Sequence, residues 1–285
     1  ELARLLERAK RTVSEAAQQR YFAFLERLHQ FRVLDPACGS GNFLYLALRG
    51  LKDFEKKVIH EAEALGLPAQ FPRVGPEAVK GIEVNPYAAE LARVTIWIGE
   101  LQWMIENGFG AAKNPILKPL DQIECRDAIL NDDGTEPEWP TADVIIGNPP
   151  FLGDRKLTTQ LGADYVARLR EAYRESISGS VDLVCYWFDK ARRQVLAERI
   201  HRVGLVATNS IRGGVNRQVL EAIVRDVGIH DAWSDEPWIL DGAAVRVSIV
   251  CFGMAASGES RLDGRIVRTV NPDLTALDVD LSRAS

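Results

Sequence analysis

Residues 144–151 read Val-Ile-Ile-Gly-Asn-Pro-Pro-Phe. Asn148 offers a side-chain carbonyl as an acceptor. Pro149 and Pro150 have fixed φ and no N–H, so their backbone carbonyls are held rigid and face no local donor. Phe151 offers a face on which a ring can stack. Rigid acceptors beside an aromatic face suit a flat substrate that carries an amine, which makes Asn148, Pro149, Pro150 and Phe151 the candidate catalytic residues. The alternative for Asn148 is a turn residue after a strand, and the Pro-Pro-Phe that follows argues against it.

A second stretch, Val33-Leu34-Asp35-Pro36-Ala37-Cys38-Gly39-Ser40-Gly41-Asn42-Phe43, reads as strand, glycine turn and helix. In open parallel sheets ligands bind beyond the carboxyl ends of the strands. Gly39 and Gly41 let the backbone pass close to a ligand. Asp35 can accept from a cationic or hydroxyl-bearing group. The dinucleotide fingerprint asks for a third glycine, but position 44 is Leu, and Asp35 would repel a pyrophosphate. A ligand with a positive group and no phosphate fits better. Glu83 ends the next predicted strand, where an acid commonly accepts the hydroxyls of a ribose. It lies 42 residues beyond Gly41 instead of the usual ~20, a difference the Pro-containing insertion at 62–78 absorbs. Asp127 follows the third predicted strand and can accept from an adenine amine.

The elements that must hold these residues alternate. Leucines and aromatics at helical spacing predict a helix over 1–30. Strands are expected at Arg32–Asp35, Val79–Val84, Gln122–Cys125, Asp143–Gly147, Val203–Thr208, Ile229–Ser234 and Val245–Phe252. Helices are expected from Asn42, from Pro86 to about Ile105 with Asn85 as cap, over 162–175 and 181–199, and over Val215–Val227. The helix from Pro86 is apolar on several faces, which predicts burial on both sides. The alternation predicts an α/β, doubly wound, mostly parallel sheet. The last two strands have no helix between them, so an antiparallel pair at one edge is expected.

The chain has 285 residues, 46% hydrophobic and 26% charged, the balance of a soluble globular protein. No apolar run approaches the ~20 residues of a membrane span. The chain starts at Glu1 rather than Met, so a piece of a longer protein is expected. Four cysteines (Cys38, Cys125, Cys185, Cys251) show neither metal-ligand nor disulfide spacing, so no metal is expected and a reducing cytoplasm is. The net charge of −5 argues against a wholly basic nucleic-acid module. Residues 151–230, however, hold 13 Lys/Arg against 9 Asp/Glu, which suits a polyanion or, as the alternative, a solvated helix surface. Arg155 and Lys156, just past the clamp, and Arg212 and Arg217, flanking Gly213-Gly214, are the DNA-contact candidates. Tyr186, Trp187 and Phe188 lie on a helix and read as core. His60, His201 and His230 have no partner by spacing and read as structural or surface.

Asp-Pro-Ala-Cys-Gly-Ser-Gly-Asn-Phe followed by Asn-Pro-Pro-Phe resembles the S-adenosylmethionine-dependent DNA methyltransferases that modify the exocyclic amine of adenine. The order of the two motifs resembles their gamma arrangement, over roughly residues 30–255. Asp-Leu-Val-Cys-Tyr-Trp-Phe at 182–188 and Thr-Asn-Ser-Ile-Arg-Gly-Gly at 208–214 further resemble the fused, MmeI-like restriction-modification enzymes. The resemblance implies the class I, Rossmann-like methyltransferase fold and S-adenosylmethionine as cofactor. It assigns Asp35, Pro36, Ala37, Cys38, Gly39, Gly41, Asn42 and Phe43 to the cofactor loop. Glu83 would hold the ribose and Asp127 the adenine of the cofactor, Val84 and Ala128 join the cofactor-binding set, and Ile82, Asn85 and Phe151 are ring neighbours.

The chemistry follows from the substrate. The amine of adenine is a poor nucleophile, because its lone pair is delocalised into the ring. Asn148 Oδ1 and the Pro149 carbonyl can take its two hydrogens and free the lone pair. The base must first be flipped out of the duplex and stacked, here on Phe151.

The expected organisation is a helical segment at 1–30, a catalytic domain at 31–255, and an extension or linker at 256–285. The implied partners are double-stranded DNA, a target-recognition domain and a nuclease domain outside this chain, in a prokaryotic cytoplasm. The family's additional cofactor segment has no match in residues 1–30. Weak cofactor binding and little sequence-specific activity are therefore expected of these residues alone. A methyltransferase of RNA bases or protein glutamine, or a non-catalytic DNA-binding module, are the alternatives.

Overall fold

The computed structural model describes residues 15–109, 119–240, 243–254 and 259–276. The expected helix over 1–30 is present as α1 (Glu15–His29), and its first part lies outside the described residues. Then follow β1 (Val33–Asp35), α2 (Asn42–Ala64), β2 (Val79–Glu83), α3 (Pro86–Glu106), β3 (Ile123–Cys125) and β4 (Val144–Gly147). Two short helices, α4 (Asp154–Leu161) and α5 (Ala163–Ala172), precede α6 (Val184–Leu196), β5 (Arg202–Thr208) and α7 (Arg217–Asp226). The described chain ends with β6 (Ile229–Leu240), β7 (Ala243–Gly253), β8 (Ser260–Leu262) and β9 (Arg265–Val267).

Among the described residues the strands form one sheet in the order β3-β2-β1-β4-β5-β7-β6-β8-β9. The first five are parallel, and β7 runs antiparallel to both β5 and β6. The order reverses at β1, between β2 and β4, which opens a crevice at the carboxyl ends of these strands. Side chains alternate across the sheet as the two-residue period demands. Leu34 and Ile145 face the core beneath α6 and α7, where Phe188 stacks on Phe252 at 6.1 Å. Val33, Val144 and Ile146 face the other core, beneath α2 and α3, with Leu44, Leu48 and Ile96.

Local chemistry sets the ends of these elements. The Asn85 side chain accepts from the amides of Tyr87 (2.9 Å) and Ala88 (3.3 Å), and Pro86 takes the first position of α3, as expected. The expected helix over 162–175 is shorter and is preceded by α4, which the sequence reading did not anticipate. Gly162, at φ +87°, ends α4 and begins α5. Burial of α3 on both sides is not observed. Ala89, Ala92, Ile96 and Trp103 are buried, while Val94 and Ile98 on the opposite face are 52% and 48% exposed. The apolar residues outnumber what one packed face of a single-layer helix can cover.

The expected antiparallel pair forms, but β6 and β7 are longer than expected and do not end the sheet. Beyond residue 255, β8 pairs with β6 and β9 with β8, while Val270 and Leu274 enter the main core. β8 and β9 are three residues each and bury no side chain fully, so no apolar run marks them in the sequence. Among the described residues no helix is long and apolar enough to cross a membrane.

Candidate active site

A cavity of about 630 Å³ opens beyond the carboxyl ends of β1, β2, β3 and β4. Pro36, Ala37 and Gly39 from the loop after β1, and Glu83 and Val84 from the end of β2, form one wall. Asp127 and Ala128 follow β3, and Asn148, Pro150 and Phe151 follow β4. Four crossovers of the sheet thus bring sequence-distant candidates to one hollow.

The two glycines of the loop have different duties. Gly39 sits at φ +52° with open space where a Cβ would stand, and it lines the cavity. Gly41 is at φ +86°, and a Cβ there would lie 2.9 Å from Ala92 Cα. It allows α2 to pack closely on α3, whereas the sequence reading gave it a ligand approach. Gly41→Ala is expected to cost about 2–4 kcal/mol of folding stability through the clash and the left-handed backbone. Gly39→Ala should cost about 1 kcal/mol. Urea unfolding of the two variants checks the difference. Cys38 does not line the cavity. Its amide donates to Ile82 O at 3.0 Å, and a Cβ on Gly81 would meet its Sγ at 2.7 Å, so it packs the loop onto β2. Asn42 is exposed and Phe43 half-buried at the start of α2.

Asp35 is 1% exposed. Its Oδ1 accepts from the Ala37 amide at 3.0 Å and lies 2.7 Å from where a Cβ on Gly147 would stand. The carboxyl therefore packs directly against the strand that leads into Asn148. Burial pushes its pKa up to about 7; the Ala37 amide opposes this and the nearby Glu83 carboxylate adds to it. Asp35 stands behind the loop residues Pro36, Ala37 and Gly39 that line the cavity, rather than in the lining itself, and a cation nearby would favour its charged form.

Glu83 binds the loop to β2, accepting from Gly39 N at 2.9 Å through Oε2 and from Asn85 N at 2.8 Å through Oε1. Each oxygen keeps a lone pair for another donor. Asp127 Oδ1 accepts from the amides of Ile129 (2.8 Å) and Leu130 (3.1 Å), and Oδ2 from the Tyr165 hydroxyl at 2.7 Å.

At the clamp, Asn148 Oδ1 is buried and has no hydrogen-bond partner. Buried amide oxygens are normally satisfied, so a vacant one in a cavity wall is an acceptor in waiting. Pro149 is buried and Pro150 exposed. Phe151 lines both the main cavity and a neighbouring open hollow of about 520 Å³, whose rim carries Arg155 and Lys156. These two exposed residues start α4 beside the clamp. Arg212 follows β5 near Asp235, and Arg217 lies along α7 with Nε 3.3 Å from Glu221. Neither lines the hollow with Arg155 and Lys156.

Several pocket residues were not singled out from sequence. Trp187, read as core, is buried, yet it also lines the cavity and donates its indole N–H to Pro36 O at 3.0 Å. Tyr165 and Leu183 line the cavity as well. Asp182 accepts from Asp154 N (3.0 Å), Ser210 Oγ (2.7 Å) and Asn216 Nδ2 (2.8 Å). It thereby pins α4, the start of α6 and the segment before α7 around Phe151. Asp182→Ala would strand three donors and is expected to cost about 2–4 kcal/mol. Chemical denaturation of the variant measures it.

The family described as "MmeI, DNA-methyltransferase domain" matches residues 10–263. DNA methyltransferase A of Bacillus subtilis (strain 168) is 30% identical over 243 residues, 80% of this chain and 27% of that protein. The chain thus spans about a quarter of that curated relative. The Type IIL restriction-modification enzyme MmeI, solved in complex with DNA, superposes with a TM-score of 0.71 at 25% identity, over 96% of this chain and 38% of MmeI. The ATP-dependent Type ISP restriction-modification enzyme LlaBIII, bound to DNA, shares the fold at a TM-score of 0.52 and 16% identity, over 82% of this chain and 18% of that one.

Proposed function

This chain belongs to the MmeI-type DNA-methyltransferase domain family, and on that premise we propose that it transfers a methyl group from S-adenosylmethionine to the exocyclic amine of an adenine flipped out of DNA. The observation that carries this reading is the buried, unpartnered Oδ1 of Asn148 in the wall of the cavity. The cofactor fits the residues present. Buried Asp35, with its raised pKa, is suited to a ligand that brings positive charge. Glu83 retains acceptor capacity for ribose hydroxyls, and Asp127 for an adenine amine. Pro36, Ala37, Gly39, Val84 and Ala128 supply the walls. When bound, S-adenosylmethionine would supply an electrophilic methyl group on a sulfonium, from which a neutral thioether leaves readily.

The remaining work falls to the chain. Asn148 Oδ1 and the Pro149 carbonyl accept hydrogen bonds from the two amine hydrogens, which localises the nitrogen lone pair, and the surplus proton of the methylated amine passes to water. The rigid Pro-Pro backbone holds both acceptors without reorganisation, so catalysis is proximity and preorganised electrostatics. Asn suits the post better than Asp, because a full negative charge would compete for the sulfonium. Phe151 stacks the target base, and Arg155 and Lys156 meet the phosphates beside it. Residues 31–255, extended by β8, β9 and the core residues Val270 and Leu274, form the catalytic body.

Single-stranded DNA removes the need to flip a base and tests the reading directly. With labelled cofactor, DNA is expected to take up methyl groups in preference to RNA or a protein mixture. Acceptance by protein or RNA alone would overturn it.

A further inference from the structure

Asp127 is the acceptor that the reading above assigns to the adenine of the cofactor. Its carboxylate is not free to turn. Two backbone amides, those of Ile129 and Leu130, hold Oδ1, and the Tyr165 hydroxyl holds Oδ2 at 2.7 Å. The hydroxyl comes from 38 residues further along the chain, on a helix set beside the cavity by the Gly162 turn. Tyr165 lines the cavity itself, with Gln160 and Leu161 of the same turn.

We propose that Tyr165 is a positioning residue that aims Asp127 Oδ2 at the exocyclic amine of the cofactor's adenine, and so sets the selectivity of the cavity for adenine. This rests on S-adenosylmethionine being the cofactor. A carboxylate oxygen has two lone pairs, and the tyrosine takes one. The other is left to the ligand, in a direction fixed by three hydrogen bonds. A carboxylate torsion is otherwise broad and roughly two-fold, and an acceptor that can turn away pays little when the ligand lacks an amine. A fixed one has its second lone pair left unmet by such a ligand, and this is the physical source of discrimination. Burial and the bond to Asp127 both push the Tyr165 hydroxyl up, so it remains a donor across the working pH range.

The experiment is isothermal titration calorimetry of this chain with S-adenosylhomocysteine and with its inosine counterpart, in which an oxo group replaces the amine. The unaltered protein is expected to prefer the adenine ligand. Tyr165→Phe keeps the ring and removes the hydroxyl. It is expected to weaken the adenine ligand about tenfold, leave the inosine ligand unchanged and lower the preference by the same factor. A merely structural role would weaken both ligands alike. Tyr165→His, a ring with an N–H donor, is expected to restore part of the preference and keeps the test valid if the Phe variant fails to fold. An unchanged ratio, or tighter adenine binding because the hydroxyl had blocked the carboxylate, overturns the proposal. Failure of the unaltered protein to bind either ligand overturns the cofactor reading and this assignment with it.

Discussion

Asn148→Ala is expected to slow methyl transfer about 10³-fold while leaving cofactor affinity within about threefold of the unaltered protein. The magnitude follows from what the side chain offers. Its Oδ1 is buried, unpartnered and fixed at the end of β4, so its full value as an acceptor is available to the reacting amine. The partner acceptor, the Pro149 carbonyl, survives the substitution and accounts for residual turnover. The same reasoning predicts an unusual stability result. Most truncations of buried side chains destabilise, but this one removes an unsatisfied acceptor, whose burial costs about 1–3 kcal/mol. Folding stability should therefore be unchanged or slightly higher. Single-turnover kinetics, cofactor titration and urea unfolding of one preparation check all three statements. A variant that loses cofactor binding together with turnover would show that Asn148 serves the cofactor rather than the target.

Asp35→Asn should do the reverse, weakening cofactor affinity about 10²-fold at pH 8 while stabilising the free protein. In the folded protein Asp35 holds its proton up to about 7, against 3.8 for a carboxyl in water. Between those values the folded state binds more protons than the unfolded one, so this residue's contribution to stability falls as pH rises from about 4 to about 7 and is level above that. Asparagine does not ionise, so the variant escapes the loss. A gain of about 4 kcal/mol at pH 8, absent at pH 4, is expected from denaturation at the two values. A cationic ligand needs the ionised form. Cofactor affinity of the unaltered protein should therefore fall up to tenfold for each pH unit below about 7, with proton release on binding. In Asp35→Asn that dependence should vanish.

The parts of this site legible in sequence are those written in adjacent residues. The strand, glycine turn and helix around Gly39, the cap made by Asn85 and Pro86, and the Asn-Pro-Pro-Phe stretch each carry a local constraint that only a few residue types meet. What sequence did not reveal depends on distant neighbours. Gly41 is needed because Ala92 of α3 lies 2.9 Å from its absent Cβ. Trp187 looked like core because a helix of large apolar residues reads the same whether its face meets another helix or the wall of a cavity. Tyr165 and Asp182 act through partners in other elements, and no periodicity records such a pairing. The helix layer misled in the other direction. The many apolar residues of α3 suggested two buried faces, but a helix on one side of a sheet buries one.

The unpartnered acceptor at Asn148 and the carbonyl beside it are proposed to receive the amine of adenine. Cytosine also carries an exocyclic amine, so the identity of the methylated nucleoside decides the matter. Single-stranded DNA of mixed sequence, incubated with the protein and labelled S-adenosylmethionine, can be digested and its nucleosides separated by mass. Label is expected in N6-methyldeoxyadenosine, lost with Asn148→Ala and retained with a substitution outside the cavity such as Phe71→Ser. Label in methylated cytosine, or label in adenine that survives Asn148→Ala, would contradict it.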